Sequence, residues 1–323
     1  MKRLAVTTAA ALWALAAFCA SGEWVYEGKW GTSGTGNGQF NHPDNVAIGP
    51  GGHVYVLDTY NDRVQYFTAD GYFLGKWGEK GKSKGQLFKP SGLAVGRQGI
   101  VYVADTFNDR IQYFSATGSF LGVWGSKGKA TGLFMKPKGV AVAPTDIVYV
   151  ADTDNDRVQY FTVTGSYLGA WGIRGQGYGE FRGPYNVAVA PNGNVYVTDS
   201  YNHRVQRFTA AGKFLGYWGH SGNGVGQFSN PSGLSNAFNG DVYVADTNNH
   251  RIQRFTATGS FLGKWGKRGS GNGQFLYPLG VAVNRERDRA YVADSVNNRI
   301  QYFKDTAYAV APTSLGRVKA VFR

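Results

Sequence analysis

The sequence predicts an all-β protein, a six-bladed β-propeller of four-stranded antiparallel blades. One observation is a strand-ending aspartate that recurs at intervals of 47 residues, and of 48 in the last case: Asp58, Asp105, Asp152, Asp199, Asp246 and Asp294. A second is that each period contains four strand patterns, and no stretch of this region has the spacing of an amphipathic helix. Supersecondary units repeated at this period are typical of propeller blades.

The four strands of a unit can be read in order from its fourth copy. Short alternating or apolar runs predict strands at 187–190, 196–198, 205–208 and 214–218. The second and third strands are joined by an Asp-x-x-Asn turn. We expect the aspartate to accept backbone N–H groups of this turn and the asparagine to adopt its left-handed conformation. The arginine that follows is expected to pair with a neighbouring carboxylate or carbonyl, and its presence in all six copies indicates a scaffold role.

The two ends of the repeat region predict how the ring closes. The region begins with the last strand of a unit, at 24–30, and its sixth copy stops after a third strand that ends at Phe303. An N-terminal strand that completes the last blade closes the ring and leaves no open edge between the termini. The sequence therefore predicts a propeller over 24–303 and a separate basic tail over 304–323.

The N-terminus has the pattern of a signal peptide over residues 1–21. Lys2 and Arg3 precede an apolar run at 4–17, which is followed by small residues and is too short for a comfortable membrane span. We expect a secreted, periplasmic or cell-envelope protein with no transmembrane span beyond this segment, with a lipid anchor on Cys19 as the alternative. Cys19 is the only cysteine, so cleavage after it excludes disulfides and cysteine-based zinc sites.

The composition indicates a folded basic protein. Hydrophobic residues make up 42% and aromatic residues 15% of the chain, which is too apolar for disorder. The formal net charge of +13 favours anionic partners without selecting one. Nucleic acid is disfavoured because the chain is expected to be exported. This leaves an extracellular or envelope protein, or an anionic polymer, as the expected partner of a monomer.

The repeated units closely resemble the NHL repeat. The resemblance rests on V-Y-V-A-D-T-x-N-H-R-I-Q and G-Q-F-x-x-P-x-G-V-A-V and extends over about 24–303. It implies a six-bladed propeller. The family includes RNA- and protein-binding ends of tripartite-motif proteins, the extracellular sensor of a bacterial kinase and a zinc-dependent amidating lyase. Ubiquitin-ligase activity resides in a cysteine-rich RING domain that this chain lacks, so the resemblance implies a fold rather than one function.

Candidate ligand-binding residues lie on the loops of one face. The turns between second and third strands and the links between blades are expected to emerge together there, where a rigid ring presents its binding groups. The turn residues that differ between copies are Tyr60, Phe107, Asp154, Tyr201, His203 and His250. The basic link residues are Lys80, Lys82, Lys127, Lys267 and Arg268, with Lys136 and Lys138 flanking a proline nearby. The link lysines equally fit a role in keeping glycine-rich loops soluble.

Asn45 and Asn186 replace glycine at the expected channel mouth of two opposite blades, and are candidates for binding a ligand or calcium. Most channel-facing positions two residues further on are expected to be alanine: Ala47, Ala94, Ala141, Ala188 and Ala282. The channel therefore looks poor in catalytic groups.

The favoured function is a non-catalytic binding scaffold without a cofactor. The alternative is a metal-dependent lyase or hydrolase similar to the amidating lyase, with His203 and His250 in a zinc shell. These histidines occupy one slot in adjacent copies, but a catalytic zinc takes three protein ligands and no third histidine can be placed. No Ser-His-Asp or Cys-His pair is enforced by the repeat.

Overall fold

The computed structural model describes residues 23–284 and 288–306, so the predicted signal peptide and 307–323 of the predicted tail lie outside the described residues. The described chain forms 24 strands in six four-stranded antiparallel sheets, which confirms the predicted propeller. Within these residues there is no helix long and apolar enough to cross a membrane.

The strands follow one another in the same order in every blade. Blade one contains β2 (Pro43–Ile48), β3 (Val54–Asp58), β4 (Arg63–Phe67) and β5 (Phe73–Trp77). Blade two contains β6 (Gly92–Val95), β7 (Val101–Asp105), β8 (Arg110–Phe114) and β9 (Phe120–Trp124). Blade three contains β10 (Pro137–Val142), β11 (Ile147–Asp152), β12 (Arg157–Thr162) and β13 (Tyr167–Trp171).

Blade four contains β14 (Pro184–Val189), β15 (Val195–Asp199), β16 (Arg204–Phe208) and β17 (Phe214–Trp218). Blade five contains β18 (Pro231–Asn236), β19 (Val242–Asp246), β20 (Arg251–Phe255) and β21 (Phe261–Trp265). Blade six contains β22 (Pro278–Val283), β23 (Arg289–Asp294), β24 (Arg299–Asp305) and β1 (Trp24–Trp30). Short 3-10 segments are Pro50–Gly52, Thr59–Asn61, Thr106–Asn108, Thr153–Asn155, Ser200–Asn202 and Thr247–Asn249.

Ring closure occurs in blade six, as predicted. Strand β1 pairs antiparallel with β24, from Trp24 opposite Asp305 to Trp30 opposite Ile300. Elsewhere the tryptophan that ends a blade packs under a glycine of the next blade's outer turn, as Trp30 does under Gly71. Blade six has no such turn because its two outer strands, β24 and β1, come from opposite ends of the described chain. Trp265, which ends blade five, therefore lacks a glycine turn above it. Trp24 stacks on the Trp265 ring instead, with ring centroids 5.3 Å apart.

The hydrophobic core is divided into six clusters, one at each interface between blades. In one of them, Phe40 and Phe67 of the first repeat pack against Tyr291 of blade six. The second-strand tyrosine of a blade also reaches across an interface, since the Tyr55 hydroxyl donates to the Ala116 carbonyl at 3.1 Å. Each blade therefore depends on its neighbours, and the ring positions its loops as one rigid face.

A buried polar network repeats beneath the loops of that face. In blade one, Asp58 is fully buried and accepts hydrogen bonds from the Asn41 backbone N–H at 2.7 Å, the Arg63 Nε at 2.7 Å and the Gln65 amide at 3.1 Å. The rest of the Arg63 guanidinium donates to backbone carbonyls of the preceding link, including Thr35. The equivalent ion pairs are Asp105–Arg110, Asp152–Arg157, Asp199–Arg204, Asp246–Arg251 and Asp294–Arg299. The predicted arginine pairing is confirmed.

The left-handed residue of each turn differs from the prediction. It is not the asparagine, whose amide donates to the aspartate, as Asn61 does to Asp58. It is the next residue, with φ between 51° and 56°: Asp62, Asp109, Asp156, His203, His250 and Asn298. The prediction was wrong because the one-turn 3-10 segment moves the left-handed position one residue along the chain.

Candidate functional site

Two groups of side chains distinguish the loop face. The first, the basic–aromatic band, consists of Tyr60, Lys89, Phe107 and Lys136 on blades one to three. The second, the channel-mouth cluster, consists of Asp44, Lys138 and Tyr185, which occupy one position at the start of the first strand in blades one, three and four. Neither group repeats around the ring.

The basic–aromatic band alternates ammonium groups with aromatic rings. The Lys89 Nζ lies 5.1 Å from the ring centroid of Tyr60 and 5.5 Å from that of Phe107. The Lys136 Nζ lies 5.9 Å from the Phe107 centroid and 3.1 Å from the Asp154 Oδ2. Tyr60 and Phe107 are 50% and 46% exposed, so their rings can still contact a ligand. Cation–π contacts of this kind hold the lysines over the face.

The backbone beneath the band is fixed by hydrogen bonds between a turn and the link beside it. The Tyr60 N–H donates to the Asn41 carbonyl at 3.1 Å, and the Phe107 N–H donates to the Phe88 carbonyl at 3.2 Å. Lys89 and Lys136 precede prolines in the left-handed region, with φ of 42° and 45°. The band therefore stands on a pre-organised backbone.

The other half of the face fills the same slots differently. The residues equivalent to Lys89 are Gly183, Asn230 and Tyr277, and those equivalent to Tyr60 are Tyr201, Asn248 and Val296. At position 183 a Cβ atom would lie 2.6 Å from the Tyr201 ring, so glycine leaves room for that ring. Tyr201 lies across this gap and remains 61% exposed. Lysine therefore occupies this position only in blades two and three, and blade one has His42 there.

The channel-mouth cluster joins opposite sides of the ring. The Lys138 Nζ lies 4.4 Å from the ring centroid of Tyr185. Asp44 interacts electrostatically with both Lys138 and Tyr185. Blades one and four lie opposite each other in a six-membered ring, so the pairing of Asp44 with Tyr185 spans the mouth.

Burial shifts the ionisation of this cluster. It raises the pKa of the Asp44 carboxyl to about 7, although Lys138 and the hydroxyl groups of Ser91 and Thr59 oppose the shift. Burial also lowers the pKa of the Lys138 ammonium, against the attraction of Asp44 and Asp154. The pKa of the Tyr185 phenol is raised well above its usual value by burial and by the Asp44 charge. Perturbed groups of opposite sign, gathered at a concave site, are typical of functional sites.

Sequence reasoning missed Asp44 and Tyr185 as site residues. The expected channel-facing alanines lie elsewhere, since Ala141, Ala188 and Ala282 are buried in the interfaces between blades. The residues directly after each repeated proline, at the repeat position of the channel-mouth cluster, are Asp44, Ser91, Lys138, Tyr185, Ser232 and Leu279. The sequence does contain a signal, because this position changes between charged, aromatic and small residues whereas the positions on either side of it are nearly constant.

His203 and His250 take part in contacts between blades. The Nδ1 of His203 accepts the Asn230 backbone N–H, and the Nδ1 of His250 accepts the Tyr277 N–H, both at 3.1 Å. Burial, with Arg268 nearby, lowers the pKa of His250. In the other copies a carboxylate or amide oxygen accepts the equivalent backbone N–H: Asp62 from Lys89, Asp109 from Lys136, Asp156 from Gly183 and Asn298 from His42. The residue type at this position therefore varies, but every copy keeps a side-chain acceptor for the same type of backbone N–H.

The two candidate asparagines are also engaged in packing. Asn45 and Asn186 are 7% and 6% exposed. The side-chain oxygen of each accepts the following backbone N–H, and the Asn45 amide donates to the Ser91 carbonyl. Among the described residues no group of three or more His, Cys, Asp or Glu side chains could hold a metal ion.

The predicted basic link residues lie further from the channel. Lys80, Lys82, Lys127, Lys267 and Arg268 are all exposed. Lys80, Lys127 and Arg268 form backbone bridges to Leu87, Phe134 and Phe275, which fold each link back on itself. Lys80 also lies 5.4 Å from the Phe88 ring centroid, next to the band. Lys80 thus lies beside Phe88, whose ring centroid is 5.5 Å from that of Phe107, whereas Lys267 and Arg268 belong to the link between blades five and six.

Comparison with known proteins supports the fold. The NHL repeat model matches residues 40–67, 134–161, 181–208, 228–255 and 275–303. No curated protein sequence matches the chain.

The solved structures with a similar fold have little sequence in common with this chain. A streptogramin B lyase aligns with a TM-score of 0.62 at 13% identity, covering 87% of this chain and 98% of its own. A gluconolactonase from Xanthomonas campestris aligns with a TM-score of 0.63 at 13% identity, covering 88% and 98%. Hydrazine synthase from Kuenenia stuttgartiensis aligns with a TM-score of 0.59 at 11% identity, covering 85% and 99%. At these identities the likeness extends to the fold alone.

Proposed function

This chain belongs to the NHL repeat family, and we propose that it is an exported, non-catalytic binding module for an anionic polymer. The observation that carries the proposal is the basic–aromatic band, in which one ammonium group lies between two exposed rings. The Lys89 Nζ is within 5.5 Å of the ring centroids of both Tyr60 and Phe107.

The shape of the band favours an extended ligand. The band crosses three adjacent blades, so a ligand that contacts all of it must be a chain rather than a compact molecule. Its rings offer flat apolar surface and its lysines offer positive charge. An acidic polysaccharide combines sugar faces with regularly spaced carboxylates and matches both. The N-terminal segment supports export, which favours such a polymer over nucleic acid.

Salt-dependent binding to a defined polyuronate tests the proposal. We expect polygalacturonate to bind with an affinity that falls steeply as salt rises, because lysines that replace counterions release them. We expect neutral dextran not to bind. Salt-insensitive binding of polygalacturonate would remove the electrostatic basis of the proposal.

Charge-matched variants separate the band from the general basicity of the chain. Lys89→Ala with Lys136→Ala is expected to weaken binding about ten-fold, since two solvent-accessible charged contacts contribute up to about 1 kcal/mol each. The control is Arg97→Ala with Lys213→Ala, which removes the same charge from exposed turns at the opposite end of the blades. Equal losses in the two double variants would show that only the net charge matters.

A further inference from the structure

We propose that the channel-mouth cluster is a second binding site, which takes the carboxylate group of a small ligand. Asp44, Lys138 and Tyr185 form this site. It shares no residue with the basic–aromatic band and does not depend on polymer binding.

Lys138 supplies the first argument. Its ammonium group lies over the Tyr185 ring at 4.4 Å and is partly shielded from solvent. Lys136, two residues earlier, forms an ion pair with Asp154, whereas Lys138 has no direct ion-pair partner in the described part of the chain. A shielded cation is costly unless an anion and hydrogen bonds satisfy it. An anionic ligand at the mouth would complete this arrangement.

Asp44 supplies the second argument, because it interacts electrostatically with Lys138 and changes charge near neutral pH. The protonated carboxyl donates a hydrogen bond to a carboxylate, whereas the ionised form repels it. The Tyr185 phenol remains protonated and is a further donor. A single cation with two neutral donors fits a monoanionic carboxylate better than a dianionic phosphate.

Few ionisable groups surround the site. The ionisable groups that influence one or more members of the cluster are Lys136, Asp154, Tyr60 and Tyr201. The hydroxyl groups of Ser91 and Thr59 also interact with Asp44. Raising the pH removes the proton of the Asp44 carboxyl before that of the Tyr185 phenol, so the site becomes more negative. Carboxylate binding should therefore weaken as pH rises through neutrality.

Calorimetric titration of the mature protein with small probes tests the site and distinguishes two sources of a carboxylate. Glucuronate represents a sugar acid, and N-acetylalanine represents a peptide carboxyl terminus. Glucose and N-acetylalaninamide are the matched neutral controls. We expect at least one carboxylate to bind, its neutral control not to bind, and the affinity to fall about ten-fold from about pH 6 to about pH 8. Binding of neither carboxylate, or equal binding of the neutral controls, would overturn the proposal.

Single substitutions assign the binding to the cluster. Lys138→Met keeps most of the side-chain volume and is expected to weaken carboxylate binding at least about ten-fold. Lys213→Met, in an exposed turn at the opposite end of the blades, is the control and is expected to bind as the wild type does. Asp44→Asn is expected to bind the carboxylate more tightly than the wild type at about pH 8, because it cannot ionise. Thermal unfolding of each variant separates a lost site from a lost fold.

The outcome for this site is separable from that for the band. Wild-type affinity in Lys138→Met, with a normal melting temperature, would place the carboxylate elsewhere and overturn the proposal. Lys89→Ala should weaken polygalacturonate binding and leave the small carboxylate unaffected. A band that fails to bind polymer would leave the channel-mouth site standing.

Discussion

The buried polar network and the exposed loop face lie on the same turns but differ in how their residues repeat. In blade three, Asp152 is fully buried and has the same partners as its equivalents in the other blades. Asp154, two residues later, is exposed and pairs with Lys136, a contact specific to this part of the ring. Repetition marks the residues that hold the ring together, and departures from it mark the residues that can recognise a ligand.

The comparison also shows that not every departure concerns function. His203 stands where other copies have aspartate, yet its Nδ1 accepts the backbone N–H that is equivalent to the one accepted by the Asp62 carboxylate. Lys138 and Tyr185 have no such shared partner across the copies. A varying position is therefore informative only when its hydrogen-bond role also varies.

The largest expected effect is the loss of a network carboxylate. Asp152→Ala removes the partner of the Arg157 guanidinium and leaves its charge largely buried, so we expect a loss of about 3–5 kcal/mol in the free energy of unfolding. Urea denaturation measures the change. Asp154→Ala is the control and should cost less than about 1 kcal/mol, since its ion pair with Lys136 is exposed. Similar losses in the two variants would contradict the division between network and face.

A smaller effect is expected in the slot that His203 occupies. His203→Ala leaves the Asn230 N–H without its acceptor and should lower the free energy of unfolding by about 1 kcal/mol. His203→Asn should restore most of this loss, because asparagine fills the equivalent slot at position 298. Urea denaturation of both variants provides the comparison. If asparagine failed to rescue stability, the slot would have a role beyond that of a hydrogen-bond acceptor.

The last expected effect is a change with pH rather than a loss at one pH, and it is the contribution of Asp44 to the pH dependence of stability. The pKa of its carboxyl is about 7 in the folded chain, compared with 3.8 for an ordinary aspartate. The folded state therefore binds this proton more tightly, and the stability it confers is lost as pH rises between about 4 and 7. Asp44→Asn should flatten this part of the stability profile, measured by urea denaturation across that range. An unchanged profile would show that Asp44 ionises normally.

The sequence predicts the fold well because the repeat constrains it at every level. The six copies predict the strand order, and the 47-residue spacing of the strand-ending aspartates locates the hairpins. Because the repeat region begins with the last strand of a unit, the sequence also predicts that β1 pairs with β24. The fully buried Asp58 network could be predicted in part, since its residues recur together. The shift of the left-handed residue to Asp62 could not, because it depends on a 3-10 segment rather than on composition.

The site was harder to predict because it depends on geometry across the ring. Asp44 and Tyr185 belong to distant copies and meet only when six blades close around a channel. Tyr60 and Phe107 were recognised as exposed loop residues, but Lys89 was not, because its contact with both rings joins different blades. The predicted residues that are buried are Asn45, Asn186 and His250, and each of the two asparagines lies one residue beyond the position of the channel-mouth cluster.

Hydrogen–deuterium exchange with bound polygalacturonate tests the central claim most directly. The account predicts slower exchange in the turns and links of blades one to three, around Tyr60, Lys89, Phe107 and Lys136. It predicts unchanged exchange in the equivalent loops of blades five and six, and in the turns that contain Arg97 and Lys213. Protection spread evenly over all six blades, or confined to the opposite end of the propeller, would contradict the claim that the non-repeating residues of this face recognise the ligand.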